Sequence, residues 1–221
     1  MQNPQRYGIH YQKTINSKNN MEQTPLTQQL LKQLMTKAHE NAKAKGFCNH
    51  DLDINQALML IITEMSEAIQ AQRKSRHGSI EDYNKLLGVS EEQVYKESLE
   101  GTVESEFADI AIRIMSLLGW YNSQNIICLM NDTELRKTEE YHKVEFEHGN
   151  YSLPDAMYLI ITRMTYFPFS CSPAWMNTLR LQEILVMVFA LAHIEGIDLV
   201  EHIKLKMQYN ESRPYLHGCL Y

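Results

Sequence analysis

Glycine and proline are scarce in this chain. Its 221 residues include only 9 Gly and 6 Pro, whereas a β-sandwich of this length needs many more turn residues. Sustained alternation of apolar and polar residues, which is typical of half-buried strands, is also missing. Hydrophobic residues at 44% and charged residues at 22% exclude disordered, collagen and coiled-coil compositions. We therefore predict an all-α protein that is long enough to bury a substantial core.

The chain also lacks excess positive charge, closely spaced cysteines and a long apolar run. Its 21 Lys and Arg against 27 Asp and Glu give a formal charge of −6, which disfavours a nucleic-acid polymer or an anionic membrane as partner. The four cysteines never form the Cys-x-x-Cys spacing of a zinc or redox site. The apolar run 184–192 is too short to span a bilayer, and residues 1–23 are polar, unlike a signal peptide. We predict a cytoplasmic protein with reduced thiols and a loosely docked N-terminal arm.

Helical periodicity runs through the rest of the chain. Thr24 and Pro25 predict the start of a first helix that continues to Gly46, and Asp53 predicts the cap of a second that ends near Arg73. The segment 74–102 carries weaker helical signals and is predicted to be an inserted helical excursion. Further helices are predicted at about 103–121, with an end near Gly119, and at about 153–166, 178–195 and 198–211.

A short sequence pattern occurs twice. The residues Ala-x-x-Leu-Ile-Ile-Thr-x-Met at 57–65 recur at 156–164, and Glu106 and Gly119 match Glu183 and Gly196. Chance recurrence in two buried helices is one explanation. The other is an internal duplication, in which two helix pairs pack about a pseudo-twofold axis. On the second explanation, residues 24–221 form one all-α unit, with a first half at 24–150 and a related second half at 151–221.

Two of the predicted helices carry paired carboxylates. Glu64 and Glu67 lie three residues apart on one helix, and Glu106 and Asp109 on the next, so each pair shares a helix face. On a helical wheel, Glu64 and Glu67 fall in the same sector as apolar residues such as Leu60. A solvated acidic face fits such positions poorly, since an unpaired carboxylate is costly in a core. Four carboxylates brought together need a cation, and oxygen ligands select hard ions such as Mg²⁺, with Mn²⁺ as a substitute.

A row of polar and basic residues follows in the last predicted helix. Lys206, Asn210 and Arg213 are spaced four and three residues apart, which places them on one side of that helix. Such a row suits phosphate oxygens, although basic residues near a helix C-terminus also complement the helix dipole. Lys74 and Arg76 are further candidates for phosphate contact, and they are equally well explained as solvated loop residues.

Together these motifs resemble the all-α nucleoside triphosphate pyrophosphatases, the MazG-like group related to the dimeric dUTPases. That family's ExxE and ExxD motifs are matched by Glu64/Glu67 and Glu106/Asp109, and residues 206–213 resemble its Lys-x-x-x-Asn-x-x-Arg segment. The resemblance covers roughly residues 25–213. It implies Mg²⁺-dependent hydrolysis of a nucleoside triphosphate to the monophosphate and pyrophosphate. We assign Glu67 as the carboxylate that accepts the proton of the attacking water.

The chain departs from that family pattern in two ways. The segment between the two carboxylate motifs is longer than in compact members. The second copy of the repeated pattern has lost its acids, since the aligned positions hold Arg163, Tyr166 and Val186. We therefore expect one composite site per chain, with carboxylates from the first half and the basic tail from the second. Either a monomer that contains a pseudo-dimer or a homodimer fits this arrangement.

Base recognition is expected from the first helix and the loop after it. His39, Phe47 and Asn49 could stack on a base or hydrogen-bond to it, and core or surface roles fit these three residues at least as well. Outside the enzyme class, the alternative is a catalytically silent helical scaffold or sensor that binds nucleotide and metal. Within that class, a dUTPase-like enzyme differs only in its choice of base, which depends on a few side chains of the pocket.

Overall fold

Helices account for all regular secondary structure in the part of the chain that the structure describes. The computed structural model describes residues 23–47, 53–86, 90–166 and 168–215. These residues form nine α-helices and a short 3₁₀ turn at Phe169–Cys171. In chain order the α-helices are α1 (Gln28–Ala44), α2 (Ile54–Arg73), α3 (Ile80–Lys85), α4 (Glu91–Ser98), α5 (Val103–Ser123), α6 (Asp132–His148), α7 (Leu153–Thr165), α8 (Ala174–Glu195) and α9 (Leu199–Ser212). The predicted all-α class is confirmed.

Polar caps fix where the helices that carry the site begin. Asp53 caps α2 and Thr102 caps α5, each through a side-chain oxygen that accepts hydrogen bonds from backbone N–H groups of the first turn. Both starts agree with the prediction. The first helix begins later than predicted, because its cap is Thr27 and not Thr24. The Thr27 hydroxyl accepts a hydrogen bond from the N–H of Leu30 at 3.1 Å.

Helix α6 lies in a range for which the sequence patterns above predict no helix. Its residues are strongly charged, and only Leu135, His142 and Phe146 of this helix are buried, so its apolar stripe is thin. A capping box defines its start. The Asn131 side chain accepts hydrogen bonds from the backbone of the first turn, and the Glu134 side chain accepts one from the N–H of Asn131 at 2.8 Å. The buried stripe packs α6 against α8.

Gly119 does not end α5, contrary to the prediction, and the helix continues to Ser123. A Cβ atom at Gly119 would lie 2.5 Å from the Cβ of His39 and 2.8 Å from the carbonyl oxygen of Met35. Glycine is needed there because α1 and α5 are in close contact at this point. Gly196, which the repeated pattern aligns with Gly119, does end α8, in a left-handed conformation with φ of 75°.

Helices α5 and α8 form the centre of the molecule. α5 packs against α1, α2, α8 and α9, and α8 also packs against α6 and α7. One apolar core contains residues of both predicted halves, from Leu26 to Met207. Among the described residues, α8 is the one helix that is long and apolar enough to cross a membrane by length and composition, but 72% of its most apolar window is buried inside the protein. α8 therefore has the burial of a core helix.

The excursion at 74–102 is helical, as predicted, and α4 packs on α9. The Tyr95 ring of α4 stacks on the Tyr209 ring of α9, with the ring centroids 4.5 Å apart. The pair belongs to a small apolar cluster that is separate from the main core. Its members are Tyr83, Val94, Tyr95, Leu99 and Tyr209. The excursion thereby covers the part of α9 that carries Tyr209 and Lys206, the first residue of the predicted basic row.

Candidate functional site

The packing of α2 against α5 brings three carboxylates together. Glu106 and Asp109 lie one turn apart on α5, and Glu64 faces them from α2. One oxygen atom from each of the three residues lies within 4.8 Å of the other two. Glu64 and Glu106 are each 6% exposed, and Asp109 is half-buried. Three of the four predicted metal ligands therefore surround one point.

Burial and mutual repulsion perturb two of these carboxyl groups. Burial, followed by the negative charge of Asp109, raises the pKa of Glu106 to about 8 against the opposing effect of Lys206. The same two causes raise the pKa of Glu64, although Arg113 opposes them. Both glutamic acids hold their protons more tightly than an exposed one would, because burial and the negative charge of Asp109 disfavour their ionised forms.

Glu67 is placed differently from the prediction. Its side chain is exposed, whereas the helical wheel placed it on the buried face together with Glu64. The buried stripe of α2 is narrower than predicted, and Glu67 lies at its edge. The members of that stripe are Leu58, Ile61, Glu64, Met65, Ala68 and Ala71. Glu67 nevertheless lines the same cavity as the three gathered carboxylates, and its charge contributes to the raised pKa of Glu106.

Lys206 is an internal counter-ion of this cluster. Its Nζ lies 2.6 Å from Oδ2 of Asp109 and donates a hydrogen bond to Oγ of Ser105 at 3.3 Å. The side chain is 6% exposed, and the ring centroids of Tyr95 and Tyr209 lie 5.6 and 5.8 Å from Nζ. Burial opposes the charged form, but attraction to the Asp109 carboxylate helps to outweigh it, so the pKa of Lys206 lies above its ordinary value. The predicted row thus begins with a residue that already contacts a predicted metal ligand.

Arg113 is a second cation at the cluster, and the motifs of the sequence do not single it out. Its Nε donates a hydrogen bond to Oε1 of Glu64 at 2.5 Å, and its side chain is 37% exposed. The residue lies four positions after Asp109 and therefore on the same face of α5. That spacing is the sequence signal that could have revealed it.

Glu104 is a further buried carboxylate of α5, and its contacts are structural. It is 7% exposed and accepts a hydrogen bond from the N–H of Gly78 at 2.8 Å, while its other oxygen lies 3.0 Å from Nδ1 of His77. These contacts satisfy the carboxylate and fasten residues 77 and 78 of the excursion to the first turn of α5. Glu104 does not belong to the gathered group.

The cluster carries more negative than positive charge. Among the described residues, the four predicted carboxylates are in direct ionic contact with two cations, Lys206 and Arg113. With all groups ionised, two negative charges are left, which is the charge that one divalent cation would neutralise. All the donor atoms are carboxylate oxygens, the ligands that Mg²⁺ and Mn²⁺ prefer. The residues therefore fit a hard divalent cation.

A cavity of about 630 Å³ adjoins the carboxylates, which is a typical volume for a small-molecule pocket. The side chains of α5 that line it include Asp109, Arg113 and Trp120. With a rise of about 1.5 Å per residue, Trp120 lies about 16 Å along α5 from Asp109. Its apolar lining away from the carboxylates, Phe47, Ala57, Leu60, Leu117 and Trp120, defines an apolar end, but the polar residues Asn41, Lys45, Asp53, Gln56 and Ser116 line the cavity as well. The cavity thus has carboxylates at one end and, toward the other, a mixed lining that includes aromatic rings.

Asn210 and Arg213, the other two residues of the predicted row, also line this cavity. The Arg213 guanidinium lies 5.9 Å from the centroid of the Tyr209 ring, and the Arg213 carbonyl accepts a hydrogen bond from Nζ of Lys45 at 2.5 Å. Oδ1 of Asn210 is buried and has no hydrogen-bond partner among the described residues. A ligand that donates a hydrogen bond to this oxygen would remove the cost of leaving it unpaired.

The two further candidates for phosphate contact do not line the cavity. Lys74 is exposed and ends α2. Arg76 is also exposed, and its guanidinium lies against Gly101, which does line the cavity. Arg76 is therefore at the edge of the site, whereas the position of Lys74 is that of a solvated loop residue.

Of the three residues predicted to contact a base, one lines the cavity, one lies between α1 and α5, and one is outside the described residues. Phe47 lines the cavity, and Asn49 lies outside the described residues. His39 does not line the cavity, because its side chain packs between α1 and α5 against Gly119. Burial, followed by the charge of Lys43, lowers the pKa of His39. His39 is therefore a half-buried residue of the interface between α1 and α5, and Trp120 and Tyr215 are cavity aromatics that the prediction missed.

The second helix pair carries a different set of groups at the aligned positions. Nη1 of Arg163 on α7 lies 3.5 Å from Oε1 of Glu183 on α8, and its Nη2 lies 2.6 Å from Oε1 of Glu145 on α6. Nδ1 of the buried His142 lies 2.9 Å from Glu145, and its Nε2 lies 3.7 Å from Glu183. Each carboxylate of this region therefore already faces an arginine and an imidazole.

Comparisons with known proteins provide no family for this chain. No protein-family model, no characterised protein and no solved structure matches it. The chemistry of the site therefore rests on its own geometry, which places three carboxylates that could hold a hard cation beside a cavity of mixed polar and apolar lining.

Proposed function

We propose that this protein is a Mg²⁺-dependent nucleoside triphosphate pyrophosphohydrolase of the MazG-like kind. The observation that carries the proposal is the place of the carboxylates. Three of them meet at one end of a cavity of about 630 Å³ whose lining also includes the aromatic side chains of Phe47 and Trp120. A nucleoside triphosphate has the matching polarity, since its phosphates need a cation between themselves and the carboxylates and its base needs an apolar, aromatic surface.

Glu64, Glu106 and Asp109 would hold the metal ion. A bound Mg²⁺, or Mn²⁺ in its place, neutralises phosphate oxygens and lowers the pKa of a bound water. Glu67 is exposed and lines the same cavity, which suits it to accept the proton of the water that attacks the α-phosphorus. The products of this reaction are the nucleoside monophosphate and pyrophosphate.

The basic row provides the positive side of the cavity. Asn210, through its amide N–H₂ group, and Arg213 would donate hydrogen bonds to phosphate oxygens, with the arginine able to bind in a bidentate manner. Lys206 is held by Asp109 and contributes charge to the phosphate end without leaving that carboxylate. At the other end, Trp120 and Phe47 would contact the base.

We further propose that the chain is an internal duplication whose second half has lost its metal site. The first half then supplies the carboxylates and the second supplies the tail, so one composite site serves each chain. Contacts of Arg163 and His142 with the carboxylates of the second pair support this division. A soluble nucleotide substrate and free thiols at Cys128 and Cys171 fit a cytoplasmic location.

An assay of pyrophosphate release tests the proposed activity. The purified protein is incubated with a panel of common and modified nucleoside triphosphates, dUTP included, while Mg²⁺ is titrated and then replaced by Mn²⁺. We expect pyrophosphate and the monophosphate in equal amounts, with no release in the presence of a chelator. Binding of triphosphate and Mg²⁺ without turnover of any member of the panel would identify a silent scaffold or sensor and contradict the enzyme.

A further inference from the structure

Arg113 lies between the two ends of the cavity. It follows Asp109 by four residues and precedes Trp120 by seven, and all three side chains line the cavity from α5. The helical rise places Arg113 about 6 Å from Asp109 and about 10 Å from Trp120 along the helix axis. On α5 it is therefore the first cation on the way from the carboxylates to the apolar end.

The contact of Arg113 with Glu64 uses only part of its hydrogen-bonding capacity. Nε donates to Oε1 of Glu64 at 2.5 Å, whereas a guanidinium has five N–H donors in a rigid plane. Nη1 and Nη2 have no hydrogen-bond partner within the described ranges, and the side chain is 37% exposed. The ion pair fixes the plane of the guanidinium and leaves the donors that bind phosphate in a bidentate manner.

Lys206 cannot offer a ligand the same contact. Its Nζ is occupied by Asp109 and Ser105, and the rings of Tyr95 and Tyr209 flank it in a side chain that is only 6% exposed. Of the two cations that contact the carboxylate cluster, Arg113 is the more exposed, at 37% against 6%, and has the larger number of unused N–H donors. It is therefore the cation of the cluster that a ligand in the cavity can reach.

We propose that Arg113 binds the α-phosphate of the nucleotide, the phosphate next to the sugar. The inference rests on the proposed function, which places the base at the apolar end and the reacting phosphate at the carboxylates. Along such a substrate the α-phosphate is the charged group nearest the sugar and base, and Arg113 holds the corresponding position on α5. Attack at the α-phosphorus increases the negative charge on its oxygens, so the same contact stabilises the transition state.

A purely structural role for Arg113 makes a different prediction. If it only neutralises Glu64, its loss changes the binding of Mg²⁺ and thereby weakens every phosphate ligand that binds through the metal to a similar degree. If it contacts the α-phosphate, its loss selectively weakens ligands that carry the α-phosphate. Nucleoside monophosphates and inorganic pyrophosphate separate these cases, because the first carries the α-phosphate and the second represents the leaving group.

The test is calorimetric titration of the full chain in Mg²⁺ with two probes: pyrophosphate, and the monophosphate of the triphosphate that the wild type hydrolyses best. For Arg113→Gln we expect the Kd of the monophosphate to rise at least about tenfold and that of pyrophosphate to change less than about threefold. Arg163→Gln is the matched control, since it removes an arginine from the carboxylates of the second pair and should change neither value. Circular dichroism verifies that each variant is folded.

Two results would overturn the role of Arg113 while leaving the proposed function intact. One is an equal loss of affinity for both probes, which identifies a counter-ion of Glu64. The other is unchanged affinity for the monophosphate. Failure of the wild-type protein to bind either probe or to hydrolyse any triphosphate would instead overturn the proposed function together with this inference. Arg113→Lys keeps the charge but not the planar fork, so we expect it to bind the monophosphate with intermediate affinity.

Discussion

The helix pairs α2/α5 and α7/α8 share a repeated sequence pattern, but they differ in how far their carboxylates are neutralised by neighbouring cations. In the first pair, Glu64, Glu106 and Asp109 converge, and contact with Lys206 and Arg113 leaves them with net negative charge. In the second pair, Arg163 of α7 and His142 of the neighbouring α6 already contact Glu183 of α8. The same two groups contact Glu145, which also lies on α6. Similar helical patterns can thus carry either a carboxylate cluster with excess negative charge or a network in which each carboxylate already has an arginine and an imidazole as partners.

Burial sharpens the difference between the two regions. The carboxylates Glu64 and Glu106 are each 6% exposed, whereas the side chains of Glu145 and Glu183 are 21% and 40% exposed. Water can therefore solvate these two carboxylates in part, and each of them also has a cationic or imidazole partner within the protein. The first cluster holds raised carboxyl pKa values beside a cavity, which makes these groups candidates for a functional site.

The largest effect is expected from a carboxylate of the first pair. Asp109→Asn should lower Mg²⁺-dependent pyrophosphate release about a hundredfold or more, because it removes a metal ligand while keeping the size of the side chain. Steady-state kinetics measure the loss, and circular dichroism should show unchanged helicity. Glu183→Gln, a change of the same kind in the second pair, should leave the rate within about twofold. Equal losses in the two variants would place the chemistry outside the first pair.

Removal of the buried counter-ion should mainly affect stability. Lys206→Met leaves Asp109 without its partner inside the protein, and breaking a buried ion pair from one side typically costs about 3–5 kcal/mol. We expect the free energy of unfolding in urea to fall by that order in the absence of metal. Mg²⁺ should recover part of the loss by neutralising the carboxylates. A variant as stable as the wild type would show that Lys206 is not needed to balance the cluster.

The raised carboxyl pKa values predict how metal-free stability depends on pH. The pKa of Glu106 is about 8 in the folded protein against an ordinary value of 4.5. Between these values the folded state binds a proton that the unfolded chain releases, so this group lowers the free energy of unfolding as pH rises. Mg²⁺ competes with that proton, and its stabilising effect should therefore be larger at pH 8 than at pH 5.

Melting curves at pH values from 5 to 8, with Mg²⁺ and with a chelator, measure this dependence. Glu106→Gln cannot titrate and should flatten the metal-free curve, whereas Glu183→Gln should not. A benefit from Mg²⁺ that is independent of pH in the wild type would mean that the metal displaces no proton from the cluster.

The sequence was sufficient for the helical class and for placing Glu106 and Asp109 on one helix face, because both depend on local spacing. That Glu64 joins them across the packing of α2 on α5 followed from its place among the apolar residues of α2 and from the family resemblance. Asp53 and Thr102 mark the starts of α2 and α5, and residues three apart on a helix share a face wherever that helix packs. The exposure of Glu67 could not be predicted in the same way. It depends on the width of the stripe that α5 covers on α2, which is a property of the packing.

The residues that were missed or misplaced depend on contacts between distant segments. Trp120 and Arg113 are site residues because they line the cavity between the helices. His39 is held in the interface between α1 and α5, because these helices are in close contact at Gly119. α6 is missed for another reason. Its apolar stripe holds too few residues to produce a clear period, and its capping box at Asn131 is the local signal that could have revealed it.

The smallest effect is expected from the arginine of the second pair. Arg163→Met removes the guanidinium from Glu145 and Glu183 but leaves His142 in place. Because these groups are partly solvated, we expect the free energy of unfolding to fall by about 0–1 kcal/mol and pyrophosphate release to be unchanged. Urea denaturation and steady-state kinetics measure the two quantities. A loss as large as that of Lys206→Met would show that the second network is as poorly solvated as the first. The two helix pairs would then differ only in whether they bind a ligand, and no longer in the solvation of their charges.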